Sequence, residues 1–292
     1  MKKVCVFGGS GFLGSHVADE LTKSGYRVLI FDKAPSKWIQ STQEMIIGDL
    51  LDPCQVDKVL ADCEIVYNFA ALADLNEGTK KPVETIKVNV LGNSYIMDAC
   101  LKHNIKRFIY ASTIYVYSKD GGFYRCSKQS AEHYVEEYKK TFNLDYTILR
   151  FGSLYGPRAN ATNGIYRIVK HAIEKGFIKY QGSSAASREY IHVQDAARAS
   201  VNILEEQFKN QSFILTGQEK MKVNELLEML SEIMGLKKEI VFENFEINGH
   251  YVRTPYSYHP PVGKKLTLPI HVDIGQGLLQ IIEEINQELG NI

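Results

Sequence analysis

The chain has 292 residues, 45% hydrophobic and 23% charged, the balance of a soluble globular protein long enough for one large domain or two smaller ones. Its 34 basic residues equal its 34 acidic ones, which argues against nucleic acid or an anionic membrane as the main partner. No apolar run is long enough to span a bilayer and no secretory leader is expected before the first strand; five scattered cysteines with no CxxC pair suit reduced thiols in the cytoplasm.

A first strand is expected at 4–7, running directly into Gly8-Gly9-Ser10-Gly11-Phe12-Leu13-Gly14 and then an amphipathic helix at 13–24. A buried strand, a glycine-rich turn and a helix make a phosphate cradle. Gly8 allows the tight turn, Gly11 lets a pyrophosphate approach the backbone, and Gly14 lets the helix pack on the strand. Phe12 and Leu13, between Gly11 and Gly14, join this cofactor set.

The second strand, 27–31, ends in Asp32, 18 residues beyond Gly14. A carboxylate there accepts hydrogen bonds from adenosine ribose hydroxyls and repels a 2′-phosphate, which points to NAD rather than NADP. Lys33 is placed beside the cofactor; with Lys37 it is a base able to tolerate the extra phosphate. A third strand, 45–47, leads to Asp49, placed to bond the adenine amino group, with Leu50 packing on the ring. A short helix at 53–60 starts from Asp52, an N-cap ahead of a first-turn proline. The fourth strand, 64–69, closes in Asn68-Phe69-Ala70-Ala71, whose small residues let the backbone lie against a cofactor.

A long helix is expected at 83–103, a fifth strand at 107–111, a helix at 124–142 and a sixth strand at 146–150. Short buried strands alternating with helices imply an α/β fold, a Rossmann-type doubly wound parallel sheet. Beyond 150 the pattern loosens into loops at 152–164 and 182–187, helices at 193–207 and 223–234, an irregular stretch at 251–269 and a last helix at 275–289. Residues 1–150 are therefore read as the NAD-binding domain and 151–292 mainly as a smaller substrate lobe over the strand ends, with some segments returning to the sheet.

Tyr124 and Lys128 stand four apart on a helix and share one face. A phenol titrating near pH 10 is a poor base, and a neighbouring ammonium favours its phenolate. Tyr124 is then expected to take the proton of a substrate hydroxyl while Thr113, at the end of the fifth strand, hydrogen-bonds the same oxygen.

With these positions in order, the sequence resembles the extended short-chain dehydrogenase/reductase family, the NAD-dependent nucleotide-sugar epimerases and dehydratases. The resemblance covers nearly the whole chain. It rests on Gly8/Gly11/Gly14, Asp32, Gly48-Asp49-Leu50, Phe69-Ala70-Ala71, Asn89-Val90-Leu91-Gly92, Ser112-Thr113, Tyr124/Lys128, the stretch from Leu149 through Phe151 to Arg158, and the stretch from Arg188 to Asp195. It implies that Thr113, Tyr124 and Lys128 are catalytic and that Lys128 also bonds the nicotinamide ribose. Asn89 would support the helix carrying the site and is counted with the cofactor set. Phe151 and Leu154 would line the nicotinamide. Ser153 falls where many relatives have an asparagine touching the substrate diphosphate; Arg188 would bind that diphosphate, and Arg253 is a candidate second clamp. Two long helices that pair across a twofold axis in relatives imply a homodimer built as a four-helix bundle.

The chain departs from the family pattern in three places. Only ten residues separate Thr113 from Tyr124, so the loop that shapes the sugar pocket is short. Ile114-Tyr115 stands where the 4,6-dehydratases carry Asp and Glu, leaving dehydration without an obvious acid and base. Ser153 replaces the expected asparagine. The resemblance thus implies an NAD-dependent enzyme acting at C4 of a nucleotide-linked sugar, first a 4-epimerase, with a C4 dehydrogenase or 4-keto reductase as alternatives. A non-catalytic NAD-binding sensor or scaffold on the same fold is the alternative of another class. No metal site is expected.

Overall fold

The structure, a computed structural model, describes residues 2–236, 240–243 and 253–256, all within the compact unit Met1–Tyr258. The helix expected at 275–289 and most of the stretch 251–269 lie outside the described residues.

Strand β1 (Lys3–Phe7) leads through the glycine turn into helix α1 (Phe12–Lys23), followed by β2 (Arg27–Asp32) and β3 (Glu44–Ile47). Then come α2 (Pro53–Val59), β4 (Ile65–Asn68), α3 (Leu75–Lys80), α4 (Pro82–Ile86) and α5 (Gly92–Lys102). The first half closes with β5 (Arg107–Thr113), α6 (Gly122–Phe142) and β6 (Tyr146–Phe151). Asp52 does cap α2: its carboxylate accepts from the N–H groups of Cys54 at 2.9 Å and Gln55 at 3.2 Å.

The second half contains β7 (Ser153–Tyr155), α7 (Gly164–Lys175), β8 (Lys179–Gln181), β9 (Ser187–His192), α8 (Val193–Asn202), β10 (Gln211–Leu215), β11 (Lys220–Lys222), α9 (Val223–Ile233) and β12 (Val241–Glu243). Two of these segments return to the main sheet. β10 pairs in parallel with β6, and α8 shares a core with α1 through Val17, Leu21, Ala197 and Val201. β7, β9 and β11 form a separate three-stranded sheet.

The main sheet has seven strands in the order β10-β6-β5-β4-β1-β2-β3, each pair parallel. Both faces are covered, which explains why its strands read as unbroken apolar runs. Cys5, Phe7, Leu29 and Phe31 pack toward α2 and α5, whereas Val4, Val6, Val28 and Ile30 pack toward α1 and α8. Strand order reverses between β1 and β4, so the glycine turn and residues 68–71 open onto the same crevice.

Three elements differ from the sequence expectation. The helix at 83–103 is α4 and α5 joined by a π-helical turn, Lys87–Leu91. The helix expected at 193–207 stops at Asn202, and a 3₁₀ turn, Glu206–Phe208, follows. The chain turns beside the buried Arg107, whose guanidinium donates to Thr147 Oγ1 at 2.9 Å and lies 3.5 Å from the Ile203 carbonyl. Helix α3 was not anticipated, although Asp74 caps it by accepting from Glu77 N–H at 2.8 Å.

Candidate active site

A cavity of about 200 Å³ lies where β1, β4 and β5 end. It is lined by Gly8, Gly11, Phe12, Leu13 and Gly14 from the turn and α1, Phe69 and Ala71 after β4, and Thr113, Tyr124, Lys128, Phe151 and Leu154. The residues assigned to the cofactor turn and to catalysis are thus brought to one wall.

The turn leaves no room for side chains on its inner side. Gly8 has φ +75°, and a β-carbon there would meet the Ala70 nitrogen at 2.6 Å. A β-carbon on Gly14 would fall 2.2 Å from the Gly8 carbonyl oxygen. On Gly11 it would meet only that same oxygen, at a tight 3.2 Å. The N-cap of α1 is Gly11, which has no side chain to cap the first-turn N–H groups, an arrangement suited to an anionic ligand. These features fit a dinucleotide pyrophosphate. At the end of β2 the Asp32 carboxylate is held by the Ser10 N–H at 3.0 Å, beside the turn.

Tyr124 accepts a hydrogen bond from Thr113, and burial outweighs it, pushing the phenol up to about 12. The Lys128 ammonium donates to the Ala111 carbonyl at 2.6 Å and sits 4.7 Å from the Tyr110 ring centroid and 5.9 Å from that of Tyr124. Burial pulls Lys128 down to about 7, and Glu132, one helical turn further on, opposes that fall. The lowering of Tyr124 expected from a neighbouring ammonium is therefore not the dominant effect: desolvation is. Burial thus favours the neutral form of both side chains.

A second cavity of about 490 Å³ adjoins the first, sharing Thr113, Phe151, Gly152 and Leu154 with it. Ser153, Tyr115, Arg167, Arg188 and Tyr190 are among its lining residues, and among the described residues that line it none is Asp or Glu. Two guanidinium groups and no carboxylate suit an anionic ligand.

The profile of the NAD-dependent epimerase/dehydratase family matches residues 4–215. The chain belongs to this family. A Methanocaldococcus jannaschii protein provisionally named a UDP-glucose 4-epimerase is 27% identical over 263 residues, 82% of this chain and 85% of its own length. A Bacillus cytotoxicus UDP-N-acetyl-alpha-D-glucosaminuronate decarboxylase is 27% identical over 275 residues, 84% of this chain and 85% of its own. The crystal structure of the Thermotoga maritima UDP-glucose 4-epimerase with UDP-glucose superposes with a TM-score of 0.80 at 25% identity, covering 88% of this chain and 90% of that one. dTDP-glucose 4,6-dehydratases are also among the relatives. The family is NAD-dependent, and the site's turn and acidic strand end are those of an NAD cradle.

Other residues assigned to the family site lie back from the cavity wall. Lys33 and Asp49 are exposed; the Asp49 carboxylate accepts from the Leu51 N–H at 2.8 Å. Leu50 is buried in the core, under Gly92 of α5, where a β-carbon would meet Leu50 Cγ at 2.7 Å. Ala70 backs the turn at Gly8. Asn89 sits in the π turn at 2% exposure, and its amide is fully engaged by protein. It accepts from Leu72 N–H at 2.8 Å and donates to the Leu72 carbonyl at 3.0 Å and to Ser127 Oγ at 2.9 Å. Asn89 thus ties the loop after β4 to α6. Arg253 forms a backbone bridge with Ser187, but its side chain is exposed and it is absent from the lining of either cavity.

Sequence reasoning missed Arg167, which takes a place on the cavity wall from the first turns of α7. It also missed Glu132, a buried carboxylate behind Lys128, and its pairing with Arg150, which in turn donates to Tyr117. Glu132 follows Tyr124 and Lys128 at a further spacing of four, a signal open to inspection in the sequence.

Proposed function

We propose that the chain is a nucleotide-sugar 4-epimerase that uses NAD. The observation that carries this reading is that Thr113, Tyr124 and Lys128 line the cradle cavity together, and that Thr113 also lines the larger, arginine-lined cavity beside it. A sugar in the larger cavity with its diphosphate toward Arg188 would present a ring hydroxyl to Tyr124 and Thr113. Bound NAD would supply reversible hydride acceptance at the sugar carbon. Tyr124 exchanges the proton of the C4 hydroxyl, Thr113 orients the oxygen, and Lys128 bonds the nicotinamide ribose. A neutral Tyr124 suits donation to a 4-keto sugar; the reverse direction needs its proton to leave first. Ile114 and Tyr115 on the cavity wall supply no carboxylate, which supports epimerisation over 4,6-dehydration. In this proposal residues 1–150 form the NAD-binding domain and 151–292 mainly the substrate lobe, with some segments returning to the sheet.

The test is incubation with a panel of UDP-, GDP-, CDP- and dTDP-sugars, following reduced-nicotinamide absorbance together with product analysis. Product without accumulating reduced cofactor supports an epimerase. Accumulating reduced cofactor points to a C4 dehydrogenase; turnover only of a 4-keto sugar with reduced cofactor points to a reductase. Wild type that binds NAD and turns over none of these would favour the sensor.

We further infer a homodimer. Val83, Ile86 and Leu91 around α4, and Phe123, Tyr134 and Phe142 on α6, are exposed apolar residues on the two helical segments that a four-helix bundle would pair. Sedimentation showing a monomer at all concentrations would remove this assignment. All five cysteines are free thiols, which supports placing the protein in the reducing cytoplasm.

A further inference from the structure

Behind the proposed catalytic wall lies a charged group that substrate chemistry does not itself require. Tyr124, Lys128 and Glu132 follow one another at spacings of four along α6. Lys128 is 3% exposed and Glu132 is 6% exposed. The Glu132 carboxylate is gripped by the fork of Arg150 from β6: Nε approaches the two oxygens at 3.0 and 3.2 Å, and Nη2 reaches Oε2 at 2.6 Å. Arg150 also donates to the Tyr117 hydroxyl and stacks over its ring, 5.0 Å from the centroid. Tyr117 ends the 3₁₀ turn that starts right after Thr113. The group therefore ties α6, β6 and the residue run after Thr113 together.

Burying a bidentate ion pair is costly in stability and is often neutral relative to an apolar replacement. Its location gives it a second consequence. Lys128 is a buried amine whose neutral form burial favours, and Glu132 is the charged group that favours its protonated form. Arg150 neutralises that same carboxylate, so the help reaching Lys128 is reduced but not removed. The remaining groups facing Lys128 are the rings of Tyr110 from β5 and Tyr124 from α6, and the Ala111 carbonyl. Tyr117 and Tyr146 face Arg150 rather than Lys128.

We propose that Glu132 and Arg150 are positioning residues that together set the charge of Lys128, with Tyr117 as the anchor of the pair. Glu132 holds Lys128 cationic; Arg150 limits how strongly. The proposal concerns the same site as the epimerase reading but is testable without turnover.

The experiment is a pH titration of the protein labelled with ¹³Cε-lysine, followed by NMR, with the Lys128 signal assigned by its loss in Lys128→Met. The wild-type midpoint is expected near neutrality. In Glu132→Gln the uncompensated Arg150 should move the midpoint down by about one unit, and in Arg150→Met the released carboxylate should move it up by about one unit. Glu132→Gln/Arg150→Met removes both charges, leaves no buried unpaired ion, and should fall between the two; it also serves if a single variant does not fold. Glu132→Asp should restore part of the wild-type midpoint. If folded single variants titrate within about 0.3 units of wild type, the pair only staples α6 to β6 and the proposal is wrong. If a substrate is found, the pH–rate limb assigned to Lys128 should move in the same directions. Absence of turnover would sink the epimerase reading while leaving the titration result intact.

Discussion

Gly14 lies so close to Gly8 that a β-carbon on it would fall 2.2 Å from the Gly8 carbonyl oxygen. The contact is between backbone atoms and cannot be relieved by a rotamer change. Gly14→Ala is therefore expected to push α1 away from β1, lowering NAD affinity at least tenfold and the melting temperature by several degrees. Isothermal titration with NAD and a thermal melt check both; an unchanged affinity would contradict the cradle assignment.

Tyr124→Phe removes the hydroxyl that meets Thr113 while keeping the ring. Turnover should fall by about 100-fold or more, with NAD affinity nearly unchanged. Loss of binding in parallel with turnover would point to a structural role for the ring instead.

Lys128 yields a stability prediction with a definite sign. Its pKa is about 7 in the fold and lies near 10.4 in an unfolded chain. Between these values the unfolded state holds more protons, so wild-type stability rises with pH across roughly 7 to 10. Lys128→Met lacks that dependence. It should be more stable than wild type at pH 6–7, by an amount on the order of a few kcal/mol, with the advantage shrinking toward pH 10. Urea melts at a series of pH values test this; parallel curves would show that Lys128 is not desolvated as described.

Asn89→Ala deletes three hydrogen bonds and leaves the Leu72 N–H without its acceptor. The expected cost is about 1–3 kcal/mol of stability. Because Asn89 ties the loop after β4 to α6, turnover should fall more than NAD affinity does. Equal loss of both would return Asn89 to the set of direct cofactor contacts.

The arginines separate by position. Arg188→Ala should raise the KM for a nucleotide sugar by about tenfold or more and leave kcat less affected. Arg167→Ala should act in the same direction, and Arg253→Ala should change less, since its side chain is exposed and lines neither cavity. Steady-state kinetics on the three variants decide the order.

Much of this arrangement was legible in the chain itself. The strand-turn-helix start, the sheet and the three residues at 113, 124 and 128 depend on local spacing, and local spacing is what a sequence displays. The departures came from forces that act across the fold. The long helix near 89 had the right apolar period, but Asn89 demanded partners on Leu72 and Ser127, and a π turn supplies them. Leu50 packs in the core under Gly92, a contact that depends on where α5 crosses and not on the motif that Leu50 belongs to. Arg253 lay in a plausible part of the chain, while Arg167 gained its place only when α7 swung its first turns to the cavity. The tyrosine's raised pKa depends on burial, which spacing alone does not measure.

The π turn at Lys87–Leu91 holds one residue more per turn than the helices on either side. It works as a phase correction along an otherwise regular screw. Loss of any single residue within it would restore an uninterrupted α-helix and turn the preceding face by about 100°, carrying Asn89 out of alignment with Ser127 or dragging α5 off the sheet. A one-codon deletion here should therefore disable the site as surely as deleting Tyr124, without touching any atom of the ligand. The length of this stretch, more than its composition, is what the active site constrains.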